Sequence, residues 1–311
     1  MRIIFMGSGK LACPAVKALL QSRADEVLAV VTQPDRPSGR SQRLTSCPVK
    51  AFVQDRNVRV LTPERVSAPD VVEQLAGLKA DLIVVADYGQ FLKPDVLALP
   101  PKGCINIHPS LLPKYRGAAP IQWAIANGDR ESGVTVMFIN EQMDAGDIIA
   151  QEKYPIRDED TAVTLEPVLA EVGASLLLRV LEDVRSGTVR RTPQDVSKVV
   201  LAPKLKKEDG RLDWVMPASE LRNRIRGFVP WPGCFCEVPE GSGHMLRVLK
   251  ADAVSGTGKP GTVIQIDPQG PVIACAERAL RFVEVQPEGK KVMSGSAYLC
   301  GHKLMVGEIL G

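Results

Sequence analysis

Two hydrophobic periods alternate along residues 2–186. Short runs that are apolar at nearly every position, such as Ile3-Ile4-Phe5-Met6 and Leu82-Ile83-Val84-Val85-Ala86, read as buried strands. Between them, apolar residues return every three or four positions, the period of an amphipathic helix. The pattern predicts strands over 2–6, 26–32, 58–61, 81–86, 103–107, 133–139 and 148–155. It predicts helices over 10–22, 47–55, 67–78, 118–127 and 161–186. Strand–helix–strand repetition implies right-handed crossovers and an α/β fold, a Rossmann-like, doubly wound, mainly parallel sheet.

After Gly187 the pattern changes. Residues 189–205 show little apolar periodicity and read as a linker between a first domain, 1–188, and a second, 206–311. In the second, short alternating runs are broken by Gly and Pro about every ten residues: "GCFCEV", "HMLRVLKADAV", "GTVIQID", "GPVIACA" and "ALRFVEVQ". That spacing suits a small, OB-like β-barrel.

Composition narrows the class. With 45% hydrophobic and 24% charged residues, the chain can bury a full core. No apolar run reaches the roughly 20 residues that cross a bilayer, so no membrane partner is expected. The N-terminus enters a strand directly, without a signal or transit pattern. The 7 Cys are scattered without a C-x-x-C pair, and only 3 His are present. That argues against structural zinc and for a reducing, cytoplasmic setting. The formal charge is +3, and from Lys204 onward there are 15 basic and 12 acidic residues, so the whole excess lies in the last third. A polyanion would meet that part first.

The first strand runs into Gly7-Ser8-Gly9-Lys10-Leu11-Ala12, close to the G-x-G-x-x-A turn of dinucleotide enzymes. Such an enzyme also needs an acid at the end of its second strand to hold a ribose. Here that strand leads into "TQPDRPSGRSQRL", where Asp35 is the only acid and follows a proline. A phosphate-binding P-loop is excluded, since its Gly and Ser/Thr positions hold Ile4 and Leu11.

The stronger signal is "GCINIHPSLLPKYRGAAPIQWAI". Side chains alternate along a strand, so Asn106 and His108 share a face, and Pro109 ends the strand just beyond them. Open α/β sheets bind ligands at the carboxyl ends of their strands. There an Asn amide can donate to a developing oxyanion, and a His can move a proton near neutral pH. A carboxylate beside His108 would complete the set, and Asp144 and Asp147 flank the Gly146 turn after the next strand.

"NIHPSLLPKYRGAAPI" followed by "GVTVMFINEQMDAGDII" resembles the folate-dependent formyltransferases. Those enzymes share Asn-x-His, then Ser-Leu-Leu-Pro-x-x-Arg-Gly, then an Asp about three dozen residues beyond the His. The resemblance implies Asn106, His108 and Asp144 as catalytic residues, and selects Asp144 over Asp147. It extends over essentially the whole chain to the branch that formylates the methionyl group of charged initiator tRNA. It implies direct attack of that α-amino group on the formyl group of 10-formyltetrahydrofolate, through a tetrahedral intermediate and with no metal. Ser110, Leu111, Leu112 and Pro113, with Tyr88, are then expected at the folate. Arg40, in a loop that also holds Arg36 and Arg43, is expected at the tRNA together with Lys206 and Lys207. No DNA is expected as a partner, and a monomer is. Either His108 or a water held by Asp144 would accept the proton. Other formyl acceptors in the family are glycinamide ribonucleotide, whose enzyme lacks a second domain of this length, and amino sugars. One departure stands at the opening turn, where the family has Gly-Thr-Pro-x-Phe and this chain has Gly7-Ser8-Gly9-Lys10-Leu11.

Overall fold

The structure, a computed structural model, describes residues 1–38, 42–302 and 304–311. The chain forms two compact units. The first comprises Met1–Gly117, Glu131–Pro155 and Glu166–Ala202, and the second Ala118–Arg130, Ile156–Leu165 and Pro203–Gly311.

In chain order the elements up to Ala202 begin with β1 (Arg2–Gly7), α1 (Ala12–Gln21), β2 (Glu26–Val31), β3 (Arg36–Ser38), β4 (Arg43–Thr45) and α2 (Pro48–Val53). There follow β5 (Val60–Leu61), α3 (Pro69–Gly77), β6 (Leu82–Ala86), α4 (Pro94–Leu97), β7 (Cys104–His108) and β8 (Arg116–Gly117). The remainder are α5 (Pro120–Ala126), β9 (Glu131–Phe138), β10 (Ile148–Pro155), α6 (Ala162–Ser186) and β11 (Leu201–Ala202). The expected strands and helices are all present, with ends shifted by at most two residues. Prolines open α2, α3, α4 and α5, where their missing N–H costs nothing. The hairpin of β3 and β4, the short α4 and the pairing of β8 with β11 are additional.

The main sheet of the first unit has the order β10-β9-β7-β6-β1-β2-β5. It is parallel from β7 through β5, and β9 runs antiparallel to both β7 and β10. Strand order reverses at the β1/β6 boundary, so the crevice at the carboxyl ends is framed by the residues after β1, β6 and β7. All five residues of β6 are buried, as its continuous apolar run requires. Behind β7 and β9, Gly173 lets α6 lie close: a Cβ there would come 2.9 Å from Ile107 Cγ2 and 3.4 Å from Val134 Cγ1.

The second unit contains α5 and, from Pro203 onward, α7 (Ala218–Gly227), β12 (Cys234–Glu237), β13 (Met245–Val254) and β14 (Val263–Asp267). It ends with β15 (Gly270–Ala274), β16 (Ala279–Pro287), β17 (Met293–Ser294) and α8 (Gly295–Gly301). Its antiparallel sheet has the order β12-β13-β16-β15-β14, with β17 against β16. Residues 307–311 bond to both ends of that path: Gly311 and Glu237 exchange main-chain hydrogen bonds of 3.1 and 2.7 Å, and Val263 N–H donates to Glu308 at 2.8 Å. β12 through β16 are the runs expected from the sequence, and the short β17 is additional. The helices α7 and α8 were not expected. α7 packs on α5, with Trp123 edge-on to Phe228 at 5.4 Å. No helix among the described residues is long and apolar enough to cross a membrane.

Candidate active site

β7 ends at His108, as the following proline dictates, and delivers two polar groups to one face. His108 is 4% exposed. Its Nε2 lies 2.9 Å from the carbonyl oxygen of Tyr115. A carbonyl only accepts, so Nε2 carries the hydrogen and donates it. In the neutral ring this fixes the tautomer, with the lone pair on Nδ1. Nδ1 faces Asp144 Oδ2 at 3.8 Å, close enough for charge attraction and too far for a direct hydrogen bond. Asp144 Oδ2 in turn accepts the Gly117 N–H at 2.9 Å. Asn106 is partly exposed, and its side-chain amide makes no hydrogen bond among the described residues. The structure therefore places Asn106 and His108 two positions apart at the carboxyl end of β7 and brings Asp144 to His108.

Strain accompanies this geometry. Tyr115 and Asp144 both hold positive φ, 65° and 49°. Such backbone costs about 1–3 kcal/mol and persists where its surroundings over-determine it. Three features do so here. β8 pairs in parallel with β11, which fixes Arg116 and Gly117. Gly117, at φ 127°, lies so close to β11 that a Cβ would come 2.5 Å from the Ala202 oxygen. Gln194 joins the two sides: its Oε1 accepts from Arg116 Nε and NH2 at 3.0 and 2.7 Å, and its Nε2 donates to the carbonyls of Asp144 and Gly146 at 2.9 and 2.8 Å. Residues 192–202 thus build the site, with Thr192 bridged to Ile148 as well. Sequence reasoning missed Tyr115, Gly117 and Gln194. The first two act through main-chain atoms, and Gln194 stands in a stretch with no apolar period.

The loop after β7 is braced from the sheet. Thr135, fully buried, donates to the Ser110 carbonyl at 2.6 Å and accepts from the Leu112 N–H at 3.1 Å and from Gln151 Nε2 at 2.8 Å. Gln151 also donates to the Leu112 carbonyl at 2.8 Å. Ser110 is itself fully buried, and its hydroxyl donates to the Lys114 carbonyl at 2.6 Å. Leu112 is buried, Leu111 and Pro113 are partly exposed, and Leu111 lies against Gly133. The ring of Tyr88 is only 2% exposed and packs in the core with Ile4, Met6 and Val85. Its phenol oxygen is buried with no hydrogen-bond partner among the described residues, and burial pushes its pKa up.

The opening turn is closed by the protein itself. The Ser8 and Gly9 N–H groups donate to the Asp87 carbonyl at 2.9 and 3.1 Å, and the Ser8 hydroxyl donates to the Tyr88 carbonyl at 3.2 Å. Those are the donors that a dinucleotide pyrophosphate would need. Gly9 makes room for the Asp87 side chain: a Cβ there would lie 1.5 Å from Asp87 Oδ2. Asp87 keeps solvent-accessible surface, yet the protein crowded around its carboxyl raises its pKa.

Of the residues expected at tRNA, Arg40 lies outside the described residues. Lys206 and Lys207 belong to the second unit and are exposed, and neither makes an ion pair among the described residues. Lys206 caps the short turn that follows it, its N–H donating to Asp209 Oδ2 at 2.7 Å.

Residues 1–181 match the family described as formyl transferase, and residues 204–303 the formyl transferase C-terminal domain. The chain is 44% identical over 306 residues to a methionyl-tRNA formyltransferase of Myxococcus xanthus, covering 98% of this chain and 96% of that one. It is 46% identical over 304 residues to a methionyl-tRNA formyltransferase of Desulfotalea psychrophila, covering 98% and 94%. Among solved structures it resembles an N-formyltransferase of Helicobacter canadensis in complex with folinic acid and dTDP-3-aminofucose. That likeness has a TM-score of 0.65 at 17% identity over 90% of this chain and 98% of that one, and carries the fold alone.

Proposed function

The chain belongs to the formyl transferase family, and from that premise we propose that it moves the formyl group of 10-formyltetrahydrofolate to the α-amino group of methionyl initiator tRNA. One observation carries the assignment of roles. His108 is held between a carbonyl and a carboxylate with Nδ1 left to exchange a proton, one strand alternation from an Asn amide that makes no hydrogen bond among the described residues.

The chemistry follows from that arrangement. The neutral α-amine attacks the formamide carbon, a C–N bond forms, and the carbonyl electron pair moves to oxygen. The Asn106 amide donates to that oxyanion, a donor typically worth about 10²–10³ in rate. Nδ1 of His108 takes the proton from the new ammonium. The imidazolium then donates from Nε2 to the Tyr115 carbonyl and has the Asp144 carboxylate 3.8 Å from Nδ1 as its opposite charge. When the adduct collapses, the bond to N10 of the folate breaks, and His108 returns its proton to that nitrogen. The products are the formylated amine and tetrahydrofolate. Leu111, Leu112 and Pro113 supply apolar surface to the flat pterin, while Ser110 braces the loop beneath them. Tyr88 contributes to the same region through its main chain, since its ring lies in the core. Arg40, Lys206 and Lys207 hold tRNA phosphates, and the enzyme works as a cytoplasmic monomer.

The test is incubation of the full chain with 10-formyltetrahydrofolate and charged initiator tRNA, with glycinamide ribonucleotide and nucleotide-linked amino sugars as parallel acceptors. The expected product is formylmethionyl-tRNA alone. Formylation of an amino sugar in preference to the tRNA would overturn the choice of acceptor.

A further inference from the structure

A cavity of about 590 Å³ lies wholly within the second unit, and five of its lining residues are arginines: Arg130, Arg222, Arg226, Arg278 and Arg281. They come from four places along the chain. Arg222 and Arg226 stand one turn apart on α7 and so share a helix face. Arg278 occupies a left-handed position, φ 66°, at the turn before β16, and Arg281 lies on β16 itself.

Most of these guanidinium groups are oriented without being neutralised. Arg222 donates to the Asp158 carbonyl at 3.0 Å. Arg226 donates to the carbonyls of Arg157 and Asp160 at 2.9 and 3.0 Å. Arg278 donates to the Ala253 carbonyl at 2.8 Å. Among the described residues none of Arg130, Arg222, Arg226 and Arg278 forms an ion pair. Arg281 has a carboxylate, Asp267, at 3.5 Å, but its Nε is buried with no partner. The cavity also holds Asp129, Asp158 and Asp252, so its charge is two positive in excess. Burial first, and then the neighbouring Arg222, pull the Arg226 pKa down, against the opposing pull of Asp158 and Asp160. Like charges one turn apart weaken a helix, and an unpartnered buried donor is unfavourable. A bound anion relieves both.

We propose that this cavity is a phosphate-binding subsite that takes a nucleotide-type phosphate ester. Guanidinium forks match phosphate oxygens, and the volume is that of a small-ligand site, typically about 300–1,000 Å³. The ester has two sources, a backbone phosphate of RNA or a free phosphorylated metabolite. Only the first rests on the function proposed above.

The experiment uses the full chain and three probes: 5′-AMP, adenosine and uncharged initiator tRNA without folate. Calorimetric titration is expected to show saturable, salt-sensitive binding of 5′-AMP and none of adenosine. Arg222→Gln and Arg278→Gln, on different elements, are each expected to weaken 5′-AMP by about tenfold, with Arg222→Lys retaining part of the affinity. Circular dichroism checks that each variant folds. If the source is RNA, the double variant also lowers tRNA affinity and reduces the salt slope by about two, with folate binding unchanged. If 5′-AMP binding falls while tRNA binding holds, the source is a free phosphate ester. The proposal is overturned if 5′-AMP does not bind saturably and the double variant keeps its tRNA affinity and salt slope. A wild-type chain that binds no tRNA would instead sink the proposed function and leave the 5′-AMP result to decide this one.

Discussion

The first unit and the second both gather polar side chains into a concavity, and they do it in opposite ways. At the end of β7 charge is scarce and most polar atoms are engaged. His108 Nε2 is committed to Tyr115, Asp144 to Gly117, and Thr135 to three partners at once. In the cavity beside α7 charge is in surplus, and most arginines are steered by neutral carbonyls alone. A group that moves a proton must have its tautomer and direction set by the protein, because nothing in the substrate will do so in time. A group that captures an anion must be aimed yet left unneutralised, because its partner is the ligand. The distribution of built-in partners therefore separates a site for chemistry from a site for binding.

The largest expected effect tests the chemical half of that comparison. His108→Ala should reduce kcat by about 10²–10⁴, and Asn106→Ala by about 10²–10³, since each acts on the transition state. Folate affinity, read by fluorescence titration, should stay within about twofold of wild type, because neither residue is assigned to ground-state binding. Equal losses in turnover and affinity would break the comparison, making the first concavity a binding surface like the second.

Thr135→Val probes how far the first site depends on its bracing. The change keeps the shape and removes a hydroxyl that serves Ser110, Leu112 and Gln151. It leaves a buried N–H and a buried C=O without partners, so stability should fall by about 2 kcal/mol, read by urea denaturation. An unchanged midpoint would mean that the loop carries its own conformation.

Gln194 sharpens the same point at a smaller scale. It touches no substrate and acts by holding Asp144 and Arg116, so it is a positioning residue. Gln194→Ala should lower kcat by about tenfold with KM for both substrates little changed. The pH dependence of kcat should also shift, because Asp144 is no longer held toward Nδ1. A merely structural role would lower stability and leave that profile where it was.

Gln194 also shows where the sequence stops being legible. The β7 pair was readable because strand alternation and a following proline say where Asn106 and His108 point. Asp144 and Asp147 could not be told apart from the residues alone, and the family resemblance separated them. The strands of both units were readable as runs of β-branched and aliphatic residues. α7 was not, because three arginines among ten residues mask the buried stripe of Ala218, Leu221 and Ile225. The partners of His108 and Asp144 are a carbonyl and an N–H, which every residue carries, so no side-chain pattern announces them. Gln194 reaches Asp144 across 50 positions of chain, beyond any local period.

The smallest expected effect lies at the opening turn, where the Asp87 carboxylate forms no ion pair and no side-chain hydrogen bond among the described residues. The protein crowded around its carboxyl raises Asp87, and Glu166 is raised by its own burial and then by the charge of Asp87. A raised carboxyl binds its proton more tightly folded than unfolded. Its contribution is therefore favourable below the ordinary aspartate value and is lost as pH rises through the raised one. Alanine at this left-handed position, φ 44°, carries a cost at every pH, so Asp87→Ala should change Tm more favourably at pH 7 than at pH 3. Gly9 is present because the Asp87 carboxylate occupies the space of its Cβ. Gly9→Ala should therefore destabilise the wild-type chain and become neutral or stabilising, by about 0.4–1 kcal/mol, once Asp87 is alanine. The double-mutant cycle by thermal denaturation measures this coupling. Additive effects would mean that Gly9 serves the turn alone. A coupling of about 0.5 kcal/mol or more would show that the glycine in the dinucleotide-like motif is kept for a side chain of the protein itself.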